Sequence, residues 1–430
     1  MKLGESINMR HHKCISVISA VLLFAGIVTG IFFCEDEALA EESSVICTSE
    51  EDGQVQRFSL SPGYPALPYS DPYSDYQWAF LNSGIFKLVP NKKVNTAEPF
   101  EGKADGSTLG EGPANEIHGT TLAVPGIDIN MVPAWETYKK KENKRQVIVA
   151  IVDTGIDYSH EDLWNSVWVN ADEIPGDHKD NDGNGYIDDL YGWNFYSNNN
   201  QVYVGKEDSH GTHSAGTIAA SHNGKGMIGI NDSNYVKVMA VKVLGTTEGI
   251  GSPENVVKGI HYAEENGAVI CNLSFGTAKY SEELYQAMKN SHMLFVVAAG
   301  NGDQAEQGYN IDERPIYPAS FDLDNIISVA NLKFDGTLDS GSNFGVKTVD
   351  LAAPGNYILS TMPQNGYGYM SGTSMAAPMV TGAAAMMYSY DPELQIGDIK
   401  TKILSTTRKL KNLSDKVATG GMLNVSAALE

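Results

Sequence analysis

Three short segments place an acidic residue, a histidine and a serine in that chain order. Asp153 ends an apolar run, His210 sits in a turn rich in Gly and Thr, and Ser374 opens an apolar helix. These side chains are the parts of a relay in which an acid orients a base and the base activates a hydroxyl nucleophile. Unrelated folds that use this relay place the three groups in different chain orders, so the order Asp, His, Ser narrows the choice of fold.

Four apolar stretches predict the strands of a sheet. The stretches are residues 146–153, 235–243, 268–273 and 294–299, and the helical segments between them are 212–221, 253–266 and 281–290. Apolar strands that alternate with helices indicate an α/β fold of three layers, with a mainly parallel central sheet and helices on both faces. In such sheets the active site lies beyond the C-terminal ends of the strands. Because Asp153, Ser274 and Asn301 each follow a strand end, we expect them to converge.

Composition excludes several classes of function. The chain has 430 residues, a net charge of −23 and 42% hydrophobic residues, which is ordinary for a globular protein with a large core. The acidic balance argues against a nucleic-acid partner, which requires clustered Lys and Arg. The four cysteines form no CxxC pair and no disulfide framework, so metal–thiolate sites are not expected.

The N-terminus has the pattern of an export signal. Basic residues such as Lys2 and Arg10 precede an apolar run over 15–33, and a small-residue cleavage site follows at 38–40. We therefore interpret residues 1–40 as a secretory signal peptide of a secreted protein. The apolar run is close to membrane-spanning length, so an uncleaved anchor that tethers the protein to a membrane is the alternative.

The rest of the chain divides into two parts. Residues 41–69 are polar and predict a short pro-segment or N-terminal extension. Residues 70–430 predict one catalytic domain, with a surface insertion near 90–122 that is rich in Gly and charged residues. We expect a monomer.

Ser374 begins a segment dominated by Ala, Met, Val and Gly, which predicts a buried helix. The first turn of a helix has unpaired N–H groups and a positive dipole end, which favour negative charge developing on an attacked carbonyl. Pro378 is acceptable if it lies in that first turn. The plain alternative is that Ser374 only caps the helix.

Two other interpretations of these motifs are weaker. His213 lies three residues after His210, a spacing that zinc ligands can have, but no third ligand motif is evident and a structural histidine is favoured. The sequence around Ser374 also resembles the nucleophile turn of lipases. That fold requires a histidine after the serine, and none follows Ser374 in this chain.

Asn301 follows an apolar run and a glycine. A side-chain amide on a tight glycine turn can donate to an oxyanion. It is equally the residue expected in an ordinary turn.

An acidic loop predicts a calcium site. Asp180, Asp182 and Asn184 alternate as oxygen ligands do at the start of an EF-hand loop. The twelfth position is Tyr191 rather than Glu, so the loop is not an EF-hand. Asp188 or Asp189 is expected to complete the ligand shell. Clustered carboxylates without basic neighbours repel one another unless a cation lies among them.

The three segments resemble those of the subtilisin-like serine proteases, the subtilases of peptidase type S8. The segments 272–276 and 299–301 add to the resemblance, which runs from about residue 70 to the C-terminus. It implies that Asp153, His210 and Ser374 form a catalytic triad and that Asn301 donates to the oxyanion. It also implies that extended protein or peptide substrates bind along two segments, made up of Ser274, Phe275, Gly276, Ala299 and Gly300.

The resemblance further implies a second calcium site and no organic cofactor. Relatives often bind Ca²⁺ through an Asp and an Asn whose counterparts here are Asp162 and Asn223. It places Ile316 in a region that lines the primary specificity pocket of relatives, and the pocket is shallower if this side chain points inward. Three functions stay open: a general secreted endopeptidase, a processing protease for one precursor, and a binding module without activity.

Overall fold

The computed structural model describes residues 66–84, 123–246, 249–302 and 307–430, and the backbone of four short strands among residues 1–122. These strands are β1 (Lys13–Ser16), β2 (Val45–Thr48), β3 (Val55–Gln56) and β4 (Ser107–Thr108). The predicted signal peptide (1–40), nearly all of the pro-segment (41–69) and the insertion (90–122) otherwise lie outside the described residues. They stay predictions.

Strands and helices alternate along most of the described chain. The strands are β5 (Val147–Asp153), β6 (Gly192–Asn194), β7 (Val236–Lys242), β8 (Leu244–Gly245), β9 (Ile250–Gly251), β10 (Ile270–Leu273), β11 (Leu294–Ala298), β12 (Ile326–Leu332), β13 (Leu351–Pro354), β14 (Ile358–Met362), β15 (Gly366–Ser371), β16 (Arg408–Lys409) and β17 (Gly421–Met422). The helices are α1 (Met131–Lys140), α2 (Ser209–Ala219), α3 (Pro253–Glu265), α4 (Glu282–Asn290), α5 (Thr373–Tyr390), α6 (Ile396–Ser405) and α7 (Val425–Leu429). Short 3₁₀ turns occur at Ser74–Tyr76, Lys206–Asp208 and Lys411–Leu413.

A nine-stranded sheet forms the centre of the molecule, in the order β16-β17-β13-β12-β11-β10-β5-β7-β6. Its neighbouring strands run parallel, except for the antiparallel edge pair β16 and β17. Helices α2 and α5 pack together on one face, while α3 packs with α4 and against β5 and β7 on the other. The predicted α/β fold with a mainly parallel sheet is confirmed.

The central strands form because their sequences are apolar without interruption. Every residue of β10, β11, β12 and β13 is buried, and so is every residue of β5 and β7 except one in each. Strands covered on both faces read as continuous apolar runs rather than as alternating ones. This is why the predicted strands agree with the observed ones to within two residues.

The N-terminal part of the described chain packs against this core. Trp78 and Phe80 are buried, and the Trp78 indole N–H donates to the Asn356 carbonyl at 2.9 Å. The Gln77 side-chain amide donates to the Ile228 carbonyl at 2.8 Å. Within the ranges given above, no helix is both long enough and apolar enough to cross a lipid bilayer.

Candidate active site

Asp153 is the last residue of β5 and is fully buried. The Thr154 backbone N–H donates to its Oδ1 at 2.6 Å. In the sheet register Asp153 pairs with Lys242, the last residue of β7. The carboxylate therefore lies at the C-terminal edge of the sheet, where the sequence predicts it.

The sequence predicts that His210 lies in a turn between elements, and this prediction is wrong. His210 is part of a helix, because it is the second residue of α2. Helix α2 begins at Ser209 and is buried throughout, and this packing overrides the low helix propensity of a Gly- and Thr-rich segment. His210 Nδ1 lies 2.8 Å from Asp153 Oδ1 and 2.9 Å from Oδ2. Because a carboxylate only accepts hydrogen bonds, this contact places the proton on Nδ1 and makes Nε2 the basic nitrogen.

Two glycines allow this contact. Gly155 has a φ of +116°, and a Cβ added to Gly211 would lie 2.2 Å from the Gly155 carbonyl oxygen. The Gly211 N–H donates to Thr154 Oγ1 at 3.1 Å. The start of α2 thus packs directly on the loop that follows β5, which brings His210 against Asp153.

Ser374 is the second residue of α5 and is fully buried. The cap of this helix is Gly372, with a φ of +149°, so the alternative in which Ser374 is the helix cap is wrong. Ser374 Oγ donates to the Ser274 carbonyl at 2.9 Å, and Ser274 Oγ donates to the Ser374 carbonyl at 3.1 Å. These two bonds join the start of α5 to the segment after β10.

Pro378 is the sixth residue of α5, so its predicted place in the first turn is wrong. A proline inside a helix has no N–H for the carbonyl four residues earlier, which here belongs to Ser374. The Ser274 hydroxyl described above supplies a donor to that carbonyl. The helix therefore accommodates the proline through a side chain from a neighbouring strand end.

Asn301 is held against the start of α5. Its Oδ1 accepts hydrogen bonds from the Thr373 N–H at 2.8 Å and from Thr373 Oγ1 at 3.0 Å, and the Gly300 N–H donates to Thr373 Oγ1 at 3.1 Å. The oxygen of the Asn301 amide therefore faces Thr373, and its NH₂ group is the donor half of the side chain. The structure thus ties Asn301 to the residue before Ser374.

The segment after β10 becomes progressively more exposed. Ser274 is buried, Phe275 is half-buried and Gly276 is exposed, whereas on the neighbouring segment Ala299 is buried and Gly300 is half-buried. The two segments continue β10 and β11, which are adjacent and parallel. All five predicted substrate-binding residues therefore lie on two neighbouring segments beside the start of α5.

Sequence reasoning missed Asn343, which supports the loop that carries Asn301. Its Nδ2 donates to the Ala299 carbonyl at 3.0 Å, and its Oδ1 accepts from the Gly302 N–H at 3.1 Å and the Tyr309 N–H at 3.2 Å. The sequence separation hides this contact, because no local pattern links Asn343 to a loop some forty residues earlier.

Sequence reasoning also missed a buried ion pair beside Asp153 and His210. Lys242 is 1% exposed, and its Nζ lies 2.7 Å from Asp208 Oδ1 and 2.9 Å from Glu207 Oε1. It also donates to the Thr154 carbonyl. Burial raises the pKa of Asp208, although the Lys242 charge acts in the opposite direction. The lysine therefore links the end of β7, the loop after β5 and the turn before α2.

His213 has the contacts expected of a structural histidine. It is fully buried, and its Nε2 lies 2.9 Å from the Ile358 carbonyl oxygen. Burial lowers its pKa to about 3, so the ring is neutral at physiological pH.

The acidic loop brings three carboxylates together, and only two of them were predicted. Glu173, Asp182 and Asp189 offer oxygen atoms that all lie within 4.8 Å of one another. Glu173 was missed because its spacing from the other two matches no ligand pattern. Within the described ranges, no Lys or Arg forms an ion pair with these three groups. Oxygen-rich clusters of this kind suit calcium.

Asp180 and Asn184, the other predicted calcium ligands of this loop, form hydrogen bonds within it. Asp180 accepts the N–H groups of Gly183 and Gly185 at 2.6 Å and 2.8 Å, and the hydrogen bond from Gly185 is the main cause of its lowered pKa. The Asn184 amide donates at 3.0 Å to both Asp182 and Asp189. The structure places Asp180 outside the three-carboxylate cluster and Asn184 beside it.

The second predicted calcium pair is in contact. Asp162 is fully buried and its Oδ1 accepts from Asn223 Nδ2 at 3.1 Å. Burial raises the pKa of Asp162 to about 6. Asp71, which was not predicted, accepts the N–H groups of Asn223 at 3.1 Å and Gly224 at 2.9 Å. Two buried carboxylates thus flank one loop.

The sequence and the fold both match known proteins. Residues 144–421 match the model of the subtilase family. The chain is 34% identical over 308 residues to the major intracellular serine protease of Bacillus subtilis (strain 168), a match that covers 70% of this chain and 87% of that protein. It is 34% identical over 288 residues to subtilisin DY of Bacillus licheniformis, covering 66% and 91% of the two chains. Among solved structures, a protease of Pseudoalteromonas arctica PAMC 21717 matches with a TM-score of 0.55 and 25% identity, over 84% of this chain and 98% of the other.

Proposed function

The chain belongs to the subtilase family of serine-type endopeptidases, and from that premise we propose that Ser374 is its nucleophile, with His210 as the base and Asp153 as the residue that orients it. The observation that carries this proposal is the contact of His210 Nδ1 with both oxygens of Asp153, at 2.8 Å and 2.9 Å. A base held in this tautomer can accept the serine proton through Nε2.

In the proposed reaction, Ser374 Oγ attacks the carbonyl carbon of the scissile peptide bond while its proton passes to His210 Nε2. The bond to the leaving nitrogen then breaks, His210 returns the proton to the departing amine, and an acyl-enzyme forms. Water attacks the acyl group with His210 again as base, which releases the acid and restores the serine. Asp153 stays ionised and stabilises the protonated imidazole.

We assign the stabilisation of the negative charge on the tetrahedral intermediate to two hydrogen-bond donors, Asn301 Nδ2 and the Ser374 backbone N–H. The contacts of Asn301 with Thr373 fix the amide beside the start of α5, and first-turn N–H groups of a helix favour negative charge. Losing one such donor costs about 10²–10³ in rate, a magnitude that comes from subtilisin itself, a relative of this chain. The exposed backbone at Gly276 is the edge that pairs with extended substrate.

The test is the variant Ser374→Ala. We expect peptide cleavage to disappear while the thermal unfolding temperature stays near that of the wild type, because only a hydroxyl is removed. Full turnover by this variant would contradict the assignment of Ser374 as the nucleophile.

Profiling a peptide library with the wild type separates a general endopeptidase, which cleaves many sequences, from a processing protease, which cleaves one motif. A folded wild type that cleaves no peptide would indicate a binding module.

Export is proposed from residues 1–40 alone. Family membership does not fix the compartment, because a relative is named as an intracellular protease. N-terminal sequencing of protein recovered from the culture medium tests the proposal, and the expected mature chain begins at or after residue 41. Only unprocessed chain, retained with the cells, would contradict secretion and favour the membrane tether.

Calcium binding is proposed at two places. Asp182 and Asp189, with Glu173, would hold one ion, because three carboxylates this close repel one another without a cation. Asp162 and Asn223, with Asp71 beside them, would hold a second. Each ion would supply structural stabilisation, and none takes part in the proposed reaction.

A further inference from the structure

The loop that carries Asn301 has a glycine on each side of this residue. Gly300 has a φ of +93° and Gly302 has a φ of +87°, so both lie in the left-handed region. Fixing the backbone of a glycine costs more conformational entropy than fixing that of any other residue. A constant position for Asn301 therefore depends on contacts that other segments make with this loop.

Asn343 makes such contacts on both sides of Asn301. It is buried and lies between β12 and β13. Its side chain donates to the Ala299 carbonyl at 3.0 Å and accepts from the Gly302 N–H at 3.1 Å. Its backbone N–H donates to the Gly300 carbonyl at 2.9 Å. One buried residue thus fixes the backbone before and after Asn301.

Asn343 is itself attached to the central sheet. Ser342 Oγ donates to the Asn343 carbonyl at 3.0 Å and accepts from the Asn331 N–H at 2.9 Å. Asn331 belongs to β12, which is the neighbour of β11 in the sheet. Asn343 therefore links the loop after β11 to the adjacent strand.

Thr373 and Asn343 hold different parts of Asn301. Thr373 binds the side-chain oxygen, whereas Asn343 holds the backbone on either side. We infer that Asn343 is a positioning residue for peptide-bond hydrolysis, which keeps Asn301 Nδ2 where the oxyanion forms. A displacement of about 1 Å at a reacting centre can cost about 10²-fold in rate. This inference rests on the proposed function, because it needs Asn301 as the oxyanion donor.

The test is a double-mutant cycle on the full chain, in which kcat for one peptide is measured for the wild type, Asn343→Ala, Asn301→Ala and the double variant. We expect Asn343→Ala to lower kcat about tenfold, part of the roughly 10²–10³ that removing an oxyanion donor costs. In the Asn301→Ala background the same change should cost less than about twofold, because no donor remains to be misplaced. A general loosening of the fold, or weaker substrate binding, would cost the same in both backgrounds.

Asn325→Ala is the matched control. The Asn325 amide also holds a backbone loop, by donating to the carbonyls of Met288, Ser291 and Met293 at 2.8 Å, 3.3 Å and 3.2 Å. Because Asn325 immediately precedes β12, which runs parallel to β11, it lies at the opposite edge of the sheet from Asn301. This variant should have a lower unfolding temperature, because hydrogen bonds are lost, and an unchanged kcat.

A second variant, Asn343→Asp, keeps the shape of the side chain and loses only the donor to the Ala299 carbonyl, so it should also lower kcat. It replaces Asn343→Ala if that variant does not fold. A folded variant at Asn343 with the wild-type kcat overturns the positioning role alone, and so does an equal loss in both backgrounds or in Asn325→Ala. If Asn301→Ala keeps the wild-type kcat, the assignment of the oxyanion donor fails and this inference fails with it. A wild type that cleaves no peptide overturns the proposed function as a whole.

Discussion

Individual residues at this site have roles that their types alone do not reveal. His210 and His213 lie three residues apart on one helix and differ completely in surroundings. His210 faces a carboxylate, whereas His213 is enclosed and faces a backbone carbonyl. A histidine beside a carboxylate can take up a proton during the reaction, and one enclosed without a counter-charge resists protonation.

His213 should make the fold sensitive to acid. Its pKa is about 3 in the folded state and about 6.5 in the unfolded chain. As pH falls below 6.5 the unfolded state binds a proton that the folded state refuses. Stability is therefore lost, by about 1.4 kcal/mol per pH unit between roughly pH 6 and 4. Urea unfolding at several pH values measures this slope.

The comparison is with His213→Gln, which removes the titrating group. Between roughly pH 6 and 4, we expect the free energy of unfolding of this variant to fall by about 1.4 kcal/mol less per pH unit than that of the wild type. This difference in slope does not depend on the absolute stability of the variant. His292→Gln, at an exposed position, should keep the wild-type slope. Equal slopes for the wild type and His213→Gln would refute the assignment.

At the scale of elements, the site depends on how strand ends and helix starts are joined. The predicted strands matched closely because a buried parallel strand is visible as an apolar run. The start of α2 and the place of Pro378 in α5 were not predictable, because packing and a hydroxyl from another strand end decide them. The same limit applies to Glu173 and Asn343, whose partners are distant in sequence.

The buried pair of Lys242 and Asp208 should stabilise the junction of β7 with the turn before α2. Removing one partner of a buried pair leaves an uncompensated charge, so Lys242→Met should lower the free energy of unfolding by about 3–5 kcal/mol at pH 7. The deficit should shrink in acid, because a protonated Asp208 buries no charge. Chemical denaturation at pH 7 and pH 5 measures both effects.

An exposed pair with the same spacing provides the control. Lys258 and Glu254 also lie 2.7 Å apart, but both side chains are more than half exposed. Lys258→Met should leave the free energy of unfolding unchanged within error, because exposed pairs contribute little. Similar losses in the two variants would show that burial does not set the strength of the Lys242 pair.

Calcium should stabilise the acidic loop. A cation that binds only the folded state raises its stability, so a chelator should lower the unfolding temperature of the wild type. Asp182→Asn combined with Asp189→Asn should reduce this shift. Asp177→Asn changes a half-buried carboxylate of the same loop that lies outside the three-carboxylate cluster, and this variant should keep the full shift. An unfolding temperature that the chelator leaves unaltered would count against both proposed ions.

At the scale of the whole molecule, the helices that carry His210 and Ser374 pack against one mainly parallel sheet, although Asp153 and Ser374 are 221 positions apart in the chain. The chain order of Asp, His and Ser is enough by itself to exclude the lipase arrangement. The sequence could not show how the three segments are held in place, because the contacts that hold them form only when the sheet has formed. These contacts are the buried ion pair, the close approach of two glycines, and the hydrogen bonds of two serine hydroxyls.

The central claim is that Ser374 is the activated nucleophile, and covalent labelling tests it most directly. The wild-type chain is treated with a fluorophosphonate, digested, and examined by mass spectrometry. The account predicts one modification per chain, on Ser374, and a large loss of labelling in His210→Ala, because the hydroxyl then has no base. Peptide-cleaving protein that is unlabelled at Ser374, or labelled at a different residue, would contradict it.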